Sequence, residues 1–155
     1  MNVHFETKEA FSIAGLAAAN SESGDFSRLW EKLFEQVHRE ILTSLGSGES
    51  FGTCFNFQTN PHSFSYMAGY SVLFPEEARK MGLDVLDVPE AEYAIIELTG
   101  PIPASIHRGW EFVFDEFFPA QGLRHAGTPD HEYYLPGDMQ SSDYKMELWV
   151  PFTRV

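Results

Sequence analysis

Residues 26–45 read FSRLWEKLFEQVHREILTSL, and residues 104–118 read ASIHRGWEFVFDEFF. In the first stretch Phe26, Leu29, Trp30, Leu33, Val37, Ile41 and Leu45 recur at steps of three and four, with Arg28, Lys32, Glu35, Gln36 and Arg39 between them. That period predicts one amphipathic helix from Phe26 to Leu45, capped by Asp25 and ended by Gly46 and Gly48. In the second stretch Ile106, Trp110, Val113, Phe114 and Phe117 form the apolar stripe; Pro101 and Pro103 lead in, and Pro119 and Gly122 stop it. The two helices match in detail. Trp30-Glu31 and Phe34-Glu35 return as Trp110-Glu111 and Phe114-Asp115, each 80 residues later.

Working outward, Val3 to Ala19 reads as one extended strand. Phe51 to Phe57, Ser65 to Phe74, Ala91 to Leu98, His131 to Leu135 and Tyr144 to Phe152 read as further strands. Residues 21–25 are a polar loop, Asn60-Pro61 marks a turn, Pro136-Gly137-Asp138 begins another, and Pro75 to Asp87 is a charged connector with one helical turn. The order strand, helix, strand, strand therefore occurs twice. This predicts an α+β domain spanning 1–155, a tandem duplication of a β-α-β-β unit over about residues 1–75 and 88–155. Its halves would meet about a pseudo-twofold axis. Helices would cover one face of an antiparallel sheet, and the other would carry a ligand groove, since small-molecule sites favour such junctions.

Composition narrows the function. The net charge is -13, from 10 Lys+Arg against 23 Asp+Glu, and no basic run occurs. Phosphate backbones and anionic membranes need clustered cations, so direct nucleic-acid and membrane binding are not expected. The one cysteine, Cys54, has no partner for a disulfide, and no leader or membrane span is evident, so a cytoplasmic location is expected. Aromatics reach 15%, with 14 Phe, which suits either a ring-filled core or a ring-lined cavity. The six histidines show no metal-ligand spacing, and no phosphate or dinucleotide fingerprint occurs, so neither metal nor cofactor is expected.

Several segments then follow one another in a recognisable order: Val88-Pro89-Glu90-Ala91-Glu92-Tyr93-Ala94, Gly100 to Pro103, Trp110, the phenylalanines up to Phe118-Pro119, Asp130-His131-Glu132-Tyr133-Tyr134, and Met146-Glu147-Leu148-Trp149-Val150-Pro151. This set resembles the GyrI-like small-molecule-binding domain, which also forms the effector-binding part of AraC-type and MerR-type transcription regulators. The resemblance is strongest from Pro89 onward and implies a free-standing version without a helix-turn-helix. In multidrug-sensing relatives a buried glutamate among aromatics meets lipophilic cations. Glu147 falls at the matching position, and Glu132 on a second recurrent acid. Other relatives hydrolyse cyclopropane-bearing toxins or inhibit DNA gyrase. The resemblance thus implies binding of a hydrophobic, cationic small molecule, with a hydrolase using Glu147 or a protein partner (gyrase or a regulator) as alternatives.

Alternation along Tyr144 to Phe152 places Glu147 and Trp149 on one strand face, away from Met146, Leu148 and Val150. A carboxylate beside a ring can pair with a cation lying over that ring or, desolvated, act as general acid or base. The alternative is a solvated strand residue. Glu132 and Tyr134 share a face of their own strand. Trp110, Tyr93, Phe55, Tyr66 and Tyr70 are the remaining candidate liners, while Trp30 reads as core.

Overall fold

The computed structural model describes residues 1–21, 26–59 and 62–155. The Asp25 cap, most of the first loop and the Asn60-Pro61 turn lie outside them. The chain forms β1 (Val3–Lys8), β2 (Phe11–Ser21), α1 (Ser27–Gln36), α2 (Arg39–Ser44), β3 (Ser50–Thr59), β4 (His62–Val72), α3 (Pro75–Lys80) and β5 (Asp84–Val88). It continues with β6 (Ala91–Thr99), α4 (Ala104–Glu111), a π-helical stretch (Phe112–Phe117), α5 (Phe118–Gln121), β7 (Leu123–His125), β8 (Asp130–Tyr134) and β9 (Lys145–Arg154). The strands make an antiparallel sheet in the order β1-β6-β9-β8-β3-β4-β2-β5, with β7 on β9.

The 80-residue offset holds throughout the strand register. Gly15 pairs with Gly69, and Ile95 with Trp149. Gly52 pairs with Ala68, and Glu132 with Leu148. Phe11 pairs with Val88, and Ala91 with Lys8. Each second pair is the first with every number moved by 80. In the central β3–β8 pairing, Gly52 faces Glu132, its own counterpart. The pseudo-twofold axis therefore passes through that one residue pair.

The structure departs from the sequence reading in four places. Val3 to Ala19 is two strands on opposite halves of the sheet, β1 against β6 and β2 against β5. The connector after Pro75 supplies α3 and β5, so each half carries a leading strand that pairs with the other half. The first helix breaks at Val37, whose backbone is extended. The turn there brings Leu42 into the core and leaves Ile41 exposed. The second helix runs past Pro119, because the π-helical stretch restarts the hydrogen-bond register. Pro119 then sits in the first turn of α5, where its missing N–H is tolerated. Gly122, at φ 67°, ends it as the sequence predicts.

Two apolar clusters lie beneath the helices. Leu33, Leu42, Ala68 and Tyr70 belong to the first half, and Ile96, Val113, Leu148 and Val150 to the second. A third cluster, of Ile13, Phe51, Met67, Tyr93, Ile95 and Trp149, fills the helix-free face. The ring centroids of Phe11 and Trp149 are 6.4 Å apart although β2 and β9 are four strands distant. A flat sheet would separate those strands by about 19 Å. The sheet therefore curls toward its helix-free side.

Gly15 and Gly69 let β2 and β4 approach closely. A Cβ at Gly15 would fall 1.8 Å from the Ala68 carbonyl oxygen. Gly15→Ala should therefore cost about 2–4 kcal/mol, read as a lower urea midpoint at unchanged slope.

Candidate functional site

The segment Asp130-His131-Glu132-Tyr133-Tyr134 sits at the axis, and period-2 alternation sends its side chains to opposite faces. Asp130, Glu132 and Tyr134 project to the helix side, while His131 and Tyr133 join the helix-free cluster.

On the helix side Glu132 lies between the two halves. Its Oε1 accepts a 2.6 Å hydrogen bond from the Tyr134 hydroxyl. The Trp110 indole N–H supports the ionised form as a second donor. Trp30 Nε1 donates to the Tyr66 hydroxyl at 3.0 Å and meets Tyr134 edge to face at 5.8 Å. Phe26 stacks on Tyr66 with centroids 3.8 Å apart. Gly52 makes room for these groups to close in: a Cβ there would come within 2.3 Å of the Tyr66 hydroxyl and 3.2 Å of Glu132 Oε1. The tryptophans related by the offset, Trp30 and Trp110, thus approach one carboxyl from two helices.

Burial pushes the Glu132 carboxyl above its ordinary range; the Tyr134 hydroxyl opposes this, and neighbouring Asp130 adds to it. Asp130 is also raised by burial, against the pull of His125, whose Nε2 lies 3.0 Å from Asp130 Oδ2. Burial raises the Tyr66 and Tyr134 hydroxyls and the Cys54 thiol, which holds Cys54 as an unreactive thiol. An enclosed carboxyl with two hydroxyls and two indoles can serve as counter-ion to a cation or, protonated, as a proton donor.

Of the residues singled out in the sequence, the structure brings together Glu132, Tyr134, Trp110, Tyr66 and Tyr70, the last in edge contact with Trp30. Glu147, Trp149, Tyr93 and Phe55 are associated with the helix-free side instead. Glu147 and Trp149 share a face, as alternation predicts, but Glu147 is only half-buried and accepts its own neighbour's indole N–H at 2.9 Å. Trp149 and Tyr93 are core residues around His131. A hollow of about 300 Å³ on this side is bordered by Lys8, Phe11, Phe51 and Trp149, with the Lys8 Nζ 4.6 Å from the Trp149 ring centroid. Sequence reasoning missed Trp30 and Gly52 as parts of the site. The signal for both was the 80-residue offset, which pairs Trp30 with Trp110 and Gly52 with Glu132. Among the described residues no group of three or more His, Cys, Asp or Glu is placed to hold a metal ion, and no helix is long and apolar enough to cross a membrane.

The profile of the GyrI-like small-molecule-binding domain matches residues 1–153. The chain belongs to this GyrI-like family. Three solved structures share its fold. SAV2435, solved bound to tetraphenylphosphonium, is 19% identical with a TM-score of 0.82, over 99% of this chain and 94% of that one. A putative bacterial transcription regulation protein from Staphylococcus aureus MU50 is 19% identical with a TM-score of 0.74, over 99% of each chain. A hydrolase encoded by lin2189 from Listeria innocua is 13% identical with a TM-score of 0.62, over 97% and 91%. Comparison with curated proteins finds no match. The GyrI-like fold is thus the α+β architecture expected from the sequence, and it is a small-molecule-binding domain.

Two protonation effects are measurable. Because burial disfavours the Glu132 carboxylate, Glu132→Gln should stabilise the ligand-free protein by on the order of 1 kcal/mol at pH 8. The gain should shrink toward pH 4, where the glutamate is protonated; urea unfolding at both pH values reads it. On the other face, fully buried His131 is pushed down to about 3 by burial, so it stays neutral when folded. Between pH 6.5 and 3 the unfolded chain binds this proton and the folded chain does not. Stability should therefore fall as the pH is lowered through that window, by at most about 1.4 kcal/mol per unit from this group. Raised Asp130 and Glu132 act in the opposite sense, so the His131→Phe difference isolates the histidine.

Proposed function

We propose that this GyrI-like protein captures a lipophilic organic cation between α1 and α4, with Glu132 as counter-ion and Trp30, Tyr66, Trp110 and Tyr134 as its aromatic walls. The observation that carries this reading is the enclosed Glu132 carboxyl on the axis, paired with Gly52 and surrounded by the rings of both halves. A carboxylate already deprived of water has little hydration left to lose when a cation arrives, and a delocalised cation loses little of its own. Ring faces add cation–π attraction of about 0.5–2 kcal/mol each. The relative solved with tetraphenylphosphonium supports this ligand class. Glu147 is the weaker candidate, because its carboxylate is half-exposed and already engaged by Trp149. A soluble binder of this kind would sense or sequester its ligand.

Tetraphenylphosphonium titrated against the full chain, followed by quenching of tryptophan fluorescence, tests the proposal. Saturable binding should weaken at least about tenfold in Glu132→Gln and remain unchanged in Glu147→Gln. Neutral triphenylphosphine oxide should bind both forms alike. Equal cation affinity in wild type and Glu132→Gln would refute the ion-pairing role.

A hydrolytic reading is favoured by one feature, the raised Glu132 carboxyl within 2.6 Å of the Tyr134 hydroxyl. A protonated glutamate there could donate to the leaving atom of a strained electrophile while water attacks the carbon released, and the proton that water then sheds restores the acid. A cyclopropane-bearing substrate should then be consumed catalytically, with loss of turnover in Glu132→Gln and retention of binding. Stoichiometric binding without turnover leaves the capture function alone.

A further inference from the structure

The hollow of about 300 Å³ on the helix-free side takes no part in the Glu132 site. Phe11, Phe51 and Trp149 form its aromatic wall, and Glu9 and Glu49 are its acids. The strand register puts these groups on one face of the sheet. Lys8 and Glu6 pair with Ala91 and Tyr93, and Trp149 pairs with Ile95. Glu49 lies opposite Ser71, which pairs with Ile13. Ala91, Tyr93, Ile95, Ile13, Phe51 and Trp149 all belong to the helix-free cluster.

A cation already sits here. The Lys8 Nζ lies 4.6 Å from the Trp149 ring centroid and 3.4 Å from Glu6 Oε2. An ammonium over an indole face with a carboxylate beside it is the arrangement by which proteins recognise alkylammonium ions. The ring wall is fixed by the core: Phe51 and Tyr133 each stand 5.2 Å from Trp149. Lys8, by contrast, is a flexible chain on an edge strand, with 31% of its side chain exposed. It can swing into water and leave the ring face open. Among the described residues neither Glu9 nor Glu49 forms an ion pair, and Glu49 accepts a 2.7 Å hydrogen bond from the Ser47 hydroxyl.

The internal repeat shows that the fold does not require this lining. With every number moved by 80, Ser47, Glu49 and Ser71 become Gly127, Pro129 and Pro151, and Lys8 becomes the buried Val88. The second half closes the equivalent place with apolar residues. The first half keeps hydroxyls, a carboxylate and a lysine around a ring.

We infer that this hollow is a second ligand site, for a small quaternary ammonium ion, and that Lys8 is its tethered occupant in the ligand-free chain. The incoming ammonium replaces that of Lys8 over the Trp149 ring, with Glu6 and Glu49 as the nearby carboxylates. A quaternary ammonium is the favoured class because it donates no hydrogen bonds and gives up little hydration on entering, whereas the primary ammonium of Lys8 is readily taken back by water. The sheet itself separates this site from Glu132.

Calorimetric titration of the full chain with choline tests the inference. Lys8→Ala should bind choline at least about tenfold more tightly than wild type, with a dissociation constant below about 1 mM, because the built-in competitor is gone. Lys80→Ala, which removes the same charge outside the hollow, should bind as wild type does. The uncharged isostere 3,3-dimethylbutan-1-ol should bind Lys8→Ala at least about tenfold more weakly than choline. In the Lys8→Ala background, Glu49→Gln should weaken choline at least about threefold, and Glu132→Gln should leave it unchanged. Lys8→Met keeps the apolar stem without the charge and carries the test if Lys8→Ala loosens β1. Choline binding no tighter in the Lys8 variants than in wild type would overturn the proposal, as would equal affinity for the uncharged isostere. Loss of choline binding in Glu132→Gln would place the ion on the other face of the sheet and overturn it likewise.

Discussion

The arrangement hinges on a carboxyl group held on a symmetry axis where its counterpart is glycine. Two equivalent strands, β3 and β8, meet with Gly52 opposite Glu132. A glutamate at both positions would confront two carboxylates in an enclosed space, and one at least would stay protonated. A side chain at both would also remove the room. With glycine on one side, one charge-bearing group occupies space framed by both halves. Its burial penalty is partly offset by donors from each direction, the Tyr134 hydroxyl alongside and the Trp110 indole from above. The symmetry that builds the frame supplies both tryptophans, and its local failure at position 52 supplies the room that the Glu132 carboxyl and the Tyr66 hydroxyl fill.

The two faces of the same strands do different physical work. The side without helices is packed with rings and a neutral histidine, its Nδ1 2.7 Å from the Thr53 hydroxyl and its Nε2 3.4 Å from that of Tyr93. Such a satisfied polar pair inside an aromatic cluster holds the curl of the sheet in one shape. The helix side is polar at its centre and is covered by helices that are not uniform. The helix bearing Trp110 passes into a π-helical stretch immediately afterward. Irregular turns of this kind are a common means of setting the angle of a side chain at a site.

Much of the fold was legible in the sequence because the apolar period and the repeated Trp-Glu and Phe-acid pairs are local signals. Those that failed were tertiary. Nothing in Val3 to Ala19 announces that Lys8 and Phe11 belong to opposite halves, and Asp84 to Val88 is too short and acidic to stand out as a strand. For the site, alternation correctly put Glu147 beside Trp149 and Glu132 beside Tyr134. It could not say which face the helices cover, and that decides which acid is enclosed. The Glu147 motif drew attention through the family resemblance, whereas the arithmetic of the repeat, applied to Phe51-Gly52-Thr53, points to Glu132.

The leading strands β1 and β5 are exchanged: each precedes its own half in the chain but completes the sheet of the other. Neither half therefore owns a finished edge, and the molecule behaves as an intramolecular strand swap. A cut in the segment between α3 and β5 would leave two fragments that remain clasped, each still lending the other a strand. The same interlock makes the contacts that close the sheet distant in sequence, so assembly must await synthesis of nearly the whole chain.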